Sequence, residues 1–269
     1  MGVNRRKWDE SVPLHVASRS YDVPSFLRGR TTLRPLEIQQ VGPVRGKTLL
    51  HLQCHFGLDT LSWARRGAHV TGVDFSLPAV RAARRLSRQA GIDARFLQSN
   101  VYDVPELFEE EEFDFVYTGK GALCWLPDLD RWAQVVAGVL KPGGRLFFLE
   151  DHPVAEVFSN EPTTTSLELR FPYFGSRAIR EETDGTYATA AKMRYRVSYS
   201  WMHPVSQILN ALIRRGLELE SVREYPYSYW HRFPFMRQDR RGWWHLEQLE
   251  GIVPLMWSVA ARRTTGNIR

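Results

Sequence analysis

The chain predicts an α/β protein built on a doubly wound, mostly parallel sheet. Two observations carry this. Between residues 47 and 151, short apolar runs of strand length alternate with stretches of helical periodicity, the pattern of βαβ units. The runs also lead into a fixed series of short polar or glycine-bearing segments, the arrangement expected where a sheet's carboxyl edge binds a ligand that carries a ribose.

Taken in order, residues 1–46 hold Pro13, Pro24, Pro35 and Pro43, with short helical stretches expected between them. The run Thr48-Leu49-Leu50-His51-Leu52 is the first strand and leads into Gln53-Cys54-His55-Phe56-Gly57. A helix is expected at about 57–66. The second strand, His69-Val70-Thr71-Gly72-Val73, ends at Asp74. The helix expected at 77–90 has Ser76 as N-cap, Pro78 near its start and Gly91 as its stop. Ala94-Arg95-Phe96-Leu97 is the third strand and ends near Asn100. Residues 109–112 read as a solvated acidic loop before the fourth strand, Phe113-Asp114-Phe115-Val116-Tyr117. A helix at 129–140 precedes the turn Leu140-Lys141-Pro142-Gly143-Gly144 and a fifth strand at 145–150. From 152 to 204 polar stretches and β-type segments replace the alternation, which reads as an inserted antiparallel cap. A helix at 204–215, stopped by Gly216, a strand at 217–225 and a last strand at 254–262 resume it. The expected regions are a lid at 1–46, a core at 47–151, a cap at 152–204 and the rest of the core sheet at 205–269.

With 43% apolar and 25% charged residues the chain reads as soluble and globular. No apolar stretch nears the roughly 18 residues that span a bilayer. Residues 1–10 are polar and basic, unlike a secretory signal, so the cytoplasm is the default location. The two cysteines, Cys54 and Cys124, give neither a disulfide framework nor a metal-binding spacing, and no metal is expected. The net charge of +6 could attract acidic partners. Beyond Asn4-Arg5-Arg6-Lys7 there is no dense basic tract, which argues against nucleic acid.

The series of segments resembles class I S-adenosylmethionine-dependent methyltransferases, in particular the small-molecule enzymes with a Leu-Lys-Pro-Gly-Gly turn before the fifth strand. The resemblance covers residues 47–151 well and the C-terminal strands loosely. It implies a Rossmann-like seven-stranded sheet of order 3-2-1-4-5-7-6 with the last strand antiparallel. It further implies S-adenosylmethionine as cofactor and S-adenosylhomocysteine as product. The family's first strand ends in an acidic residue, then three glycines at alternate positions. Here His51 stands for the acidic residue and Gln53 and His55 for the first two glycines; Gly57 is retained.

The cofactor contacts that follow from the resemblance are Tyr21, Gln53, Cys54, Gly57, Asp74, Phe75, Asn100, Val101 and Gly119. Asp74 would accept bonds from both ribose hydroxyls, the logic that also places an acidic residue in dinucleotide folds. Phe75 would flank the adenine, Asn100 would accept from its amino group, and the Val101 amide would face the ring. Tyr21 belongs to an N-terminal segment expected to fold over the cofactor and exclude water. His152 is the candidate general base, since an unperturbed imidazole titrates near neutrality. Lys120, Trp125, Tyr199, Trp201, His203, Tyr229 and Trp230 are candidates for an acceptor pocket. The aromatic-rich C-terminal half suits a roofed apolar pocket. The expected function is methyl transfer to a small organic acceptor at oxygen, nitrogen or carbon. The competing readings are an RNA or protein methyltransferase and a non-catalytic binding protein on the same fold. The residues alone name neither the acceptor nor an oligomeric state.

Overall fold

The computed structural model describes residues 2–108, 112–175 and 177–265. Three helices lead: α1 (Gly2–Ala17), α2 (Val23–Leu27) and α3 (Pro35–Val41). The core follows as β1 (Thr48–Leu52), α4 (Leu58–Arg65), β2 (His69–Asp74), α5 (Leu77–Ala90), β3 (Arg95–Gln98), β4 (Phe113–Gly119), α6 (Leu129–Val139) and β5 (Leu140–Asp151). Then come α7 (Pro153–Glu156), the hairpin strands β6 (Ile179–Glu182) and β7 (Val197–Ser200), α8 (Val205–Arg214) and β8 (Leu217–Tyr225). The chain closes with β9 (Tyr227–Ser228), β10 (Met236–Gln238), β11 (Trp244–Leu246) and β12 (Met256–Arg263).

The central sheet has seven strands in the order β3-β2-β1-β4-β5-β12-β8. β12 runs antiparallel to both of its neighbours, while the pairs from β3 to β5 are parallel. This is the order and the antiparallel strand that the family resemblance implies. β5 shows why the sheet is buried on both faces. Leu146 and Phe148 pack with Trp132 and Val136 of α6 and Leu212 of α8. Phe147 and Leu149, one residue out of phase, pack with Trp63 of α4 and Tyr117. A strand covered on both sides reads as a continuous apolar run, which is how β5 reads in the sequence.

Local chemistry sets the helix ends. Ser76 Oγ accepts from the Ala79 amide at 3.3 Å, and Gly91 ends α5 in the left-handed conformation. Asp128 caps α6 through the Arg131 amide at 2.9 Å.

The structure corrects two expectations. Pro13 does not divide the N-terminal segment; it lies exposed within the 16-residue α1. The buried positions of α1, Asn4, Ser11, Val12 and His15, are mostly polar, so no apolar stripe announces the helix. Residues 205–269 hold more than the sheet: β9, β10 and β11 form a separate three-stranded antiparallel sheet between β8 and β12. Of the acidic loop expected at 109–112, only Glu112 lies within the described residues.

Candidate active site

The carboxyl edge of the parallel strands gathers around Asp74. The Cys54 amide bonds the Val73 carbonyl at 3.0 Å, which ties the turn after β1 to β2. Asp74 Oδ2 accepts from the His55 amide at 2.8 Å and Oδ1 from the Ser76 amide at 2.9 Å. The Asp74 carbonyl accepts from the Ser99 amide at 3.0 Å and so brings in the segment after β3. One residue thus joins three strand ends. Burial raises its pKa to about 6, against the pull of the two amides. A carboxylate has about four acceptor sites, so two remain beyond those amides.

The turn after β1 keeps an unusual backbone without its glycines. Gln53, His55 and Gly57 have φ of 56°, 50° and 80°, all left-handed. These are the three positions where the resemblance expects glycine. At Gly57 the side-chain side is closed as well, because a Cβ would stand 2.6 Å from the Phe96 ring. Gln53 Nε2 donates to the Ala122 carbonyl at 2.9 Å, while its Oε1 is buried without a partner.

Helix α1 and the segment after it cover this turn with rings. Trp8 meets His55 edge-on at 5.4 Å, and Tyr21 packs on Phe56 at 4.7 Å. His15 Nδ1 lies 3.0 Å from His55 Nε2. Burial lowers both imidazoles, His15 to about 4, so the pair is neutral near pH 7 and shares one proton between facing nitrogens. The Tyr21 hydroxyl meets that of Tyr187 from the segment between β6 and β7. Asp9 Oδ1 and His15 Nε2 are buried without partners.

The remaining candidates fall into distinct places. Asn100 Oδ1 accepts from the Tyr102 amide at 3.2 Å, and Val101 is buried beside it. Phe75 contributes its carbonyl to Gln98. The Cys54 side chain turns into the core with Phe56 and Phe96, so only its backbone stands at the edge. Gly119 is required by its neighbour in the sheet: a Cβ there would meet the Leu149 carbonyl oxygen at 2.5 Å. His51 is a core histidine. Its Nδ1 lies 2.8 Å from Thr60 Oγ1, and burial lowers its pKa to about 4.

Two of the expected roles meet committed side chains. Lys120 is not free for an acidic acceptor; its Nζ lies 2.8 Å from Asp59 and 3.1 Å from Glu37. Burial opposes its charge, but the two carboxylates outweigh burial and leave the pKa raised. His152 is not poised as a base. Its Nδ1 accepts from the Val154 amide at 3.1 Å as the N-cap of α7. Its Nε2 lies 2.8 Å from Glu224, close enough for an ion pair though out of line for a hydrogen bond.

The structure gathers Trp201, His203, Tyr229 and Trp230 at the end of β5. Trp201 and His203 line a cavity of about 30 Å³ with Glu150 and Asp151. Tyr229 and Trp230 donate to the two Asp151 oxygens, each at 2.8 Å. Trp125 stacks edge-on with Trp8 at 5.4 Å, and Tyr199 pairs its backbone with Asn4. The sequence reading passed over Glu150 and Asp151 in favour of His152. Two acids closing an otherwise apolar buried strand were the available signal.

Residues 50–148, which run from within β1 to within β5, match the family described as methyltransferase domain. Over this stretch the chain is similar to the class I S-adenosylmethionine-dependent methyltransferases. Among curated proteins, this chain is similar to the ubiquinone biosynthesis O-methyltransferase of Photorhabdus laumondii, with 31% identity over 137 residues. That match covers 49% of this chain and 56% of the relative. The enzyme of the same name from Hahella chejuensis is 32% identical over 136 residues, with the same coverage. The chain thus spans about half the length of the curated relatives it matches.

Solved structures share the fold across more of the chain. A Listeria monocytogenes protein described as a putative S-adenosylmethionine-dependent methyltransferase has a TM-score of 0.60 at 20% identity. That match covers 85% of this chain and 97% of the other. The PH0226 protein of Pyrococcus horikoshii has a TM-score of 0.62 at 15% identity, covering 94% and 96%.

The residues present fit the cofactor of this family. Asp74 has unused acceptor capacity for a diol. Gln53 Oε1 and Asp9 Oδ1 are buried acceptors in need of donors, and the turn after β1 holds the backbone shape that the motif's glycines serve.

Proposed function

We propose that the chain transfers the methyl group of S-adenosylmethionine to a small organic acceptor. The observation that carries this reading is Asp74. It is a buried carboxylate with its pKa raised, held by two amides at the meeting point of three strand ends. An ionised carboxylate in such a place is costly unless a ligand uses it.

When bound, the cofactor supplies an electrophilic sulfonium methyl. The chain's own residues then have four tasks. Asp74 would hold the ribose hydroxyls. The turn from Gln53 to Gly57 would face the methionine portion, with Gln53 Oε1 accepting from its ammonium. Asn100 and Val101 would border the adenine. Trp8, His15 and Tyr21 would close the site against water, which strengthens each polar contact inside. Methyl transfer of this kind needs chiefly alignment of nucleophile, carbon and leaving group. The small acceptor is supported by the cavity at the end of β5 and by the curated relatives' printed names.

Calorimetric titration with S-adenosylmethionine and S-adenosylhomocysteine tests the reading. The wild type is expected to bind both in the micromolar range. Asp74→Ala is expected to weaken binding at least tenfold, since it removes a charged acceptor. A folded wild type that binds neither would overturn the proposal.

A further inference from the structure

The cavity at the end of β5 is paired chemically in a way that narrows the acceptor. Its volume of about 30 Å³ is room enough for a hydroxyl-sized group. Glu150 and Asp151 of β5 and Trp257 of β12 are among the residues that line it. Glu150 is buried and pairs across the sheet with Trp257. Its carboxylate is held in place by the Gly121 and Ala122 amides at 3.0 to 3.1 Å. Trp257 is wholly buried, and its indole N–H has no partner. A buried donor without an acceptor is uncommon in folded proteins.

The cavity also adjoins the proposed cofactor site. The Ala122 carbonyl accepts from Gln53, and the Ala122 amide donates to Glu150. A single residue, Ala122, therefore links the Gln53 side chain to the carboxylate.

We propose that this cavity receives the reacting hydroxyl of the acceptor, with Glu150 taking its proton and the Trp257 N–H donating to its oxygen. This rests on the methyltransferase reading above. The choice of a hydroxyl follows from the two partners. A hydroxyl donates once and accepts twice, so it can bond Glu150, accept from Trp257 and keep one lone pair for attack. An ammonium only donates and leaves the indole unpaired. An amine that accepts from Trp257 has no lone pair left for attack.

In the transfer, the acceptor oxygen forms a bond to the methyl carbon and the carbon–sulfur bond breaks with its electron pair staying on sulfur. The hydroxyl proton passes to Glu150 and from there to solvent. Asp151, fixed by Tyr229 and Trp230, and Glu156, paired with Arg232 at 2.7 Å, keep the surroundings acidic. Burial first, and Asp151 after it, raise Glu150 to about 8, a range suited to exchanging a proton near neutrality.

The test is ligand-observed NMR at pH 8.5 with phenol and benzylamine, each with and without S-adenosylhomocysteine. Wild type, Glu150→Gln and Trp257→Phe are compared after each variant is checked for a cooperative melt. The expected result is phenol binding that weakens at least fivefold in both variants, with benzylamine weaker than phenol throughout. Phenol affinity unchanged in the variants, or benzylamine bound as tightly as phenol, would overturn the proposal. A cavity that holds only an undisplaced water, seen as no phenol binding at all, would also overturn it. Should phenol depend on both residues while S-adenosylhomocysteine fails to bind, the hydroxyl site stands and the methyltransferase reading falls.

Discussion

Gln53 and His55 carry a backbone conformation that costs a residue with a Cβ roughly 1–2 kcal/mol each. Replacing Gln53 with glycine would relieve that strain but lose its bond to Ala122 and add chain entropy, each about 1 kcal/mol. Gln53→Gly is therefore expected to change stability by less than about 1 kcal/mol. Gly57→Ala is expected to lose about 2–4 kcal/mol in urea unfolding, because strain and a clash with Phe96 add together. Equal effects of the two changes would show that the turn is not held as described.

Asp74 also sets a pH dependence. Its folded pKa is raised, so its contribution to stability is fully present below about 4 and is lost as pH rises through about 6. A ligand that bonds the ionised form reverses this preference. S-adenosylhomocysteine is expected to bind about tenfold more weakly at pH 5 than at pH 7.5, with proton release on binding at the lower pH. Calorimetry in buffers of different ionisation enthalpy reads that proton, and no release would remove Asp74 from the ligand's contacts. The place of Asp74 at a strand end and of Gly57 in a tight turn was legible in the sequence because residue type and position carried it. The commitments of Lys120 and His152 were not, because their partners come from distant segments.

At the scale of elements, Lys120 fastens β4 to α3 through Glu37 and to α4 through Asp59. Tyr117 donates to the same Glu37, and Thr32 to Asp59. Removing the one cation leaves two carboxylates buried together, and breaking such a network costs about 3–5 kcal/mol. Lys120→Met is expected to lower stability by about that amount in urea unfolding, while a loss under 1 kcal/mol would mean that the triad is not holding the elements together. The core strands and α5 were legible because apolar periodicity and caps agree with their burial. The length of α1 was not, since its buried face carries Asn4, Ser11 and His15 and a proline sits among its later turns. The sheet of β9, β10 and β11 was hidden for another reason: strands of two or three residues are too short to show an alternation.

Across the whole molecule, α1 is held by the cap as well as by the core. Asn4 exchanges two hydrogen bonds with the Tyr199 backbone, at 2.7 and 2.8 Å. Lys7 reaches Thr183 and Ser198, and Glu10 accepts from the Arg194 and Tyr195 amides. On its other side α1 brings Trp8 and His15 onto His55. Amide exchange across α1 and β7 is therefore expected to slow together when S-adenosylhomocysteine binds. Slowing confined to β1 and β2 would separate α1 from the site. A cover stitched in this way opens as one door for two visitors. Loosening it from the cap side, as Asn4→Ala would, should then weaken the hold on both together.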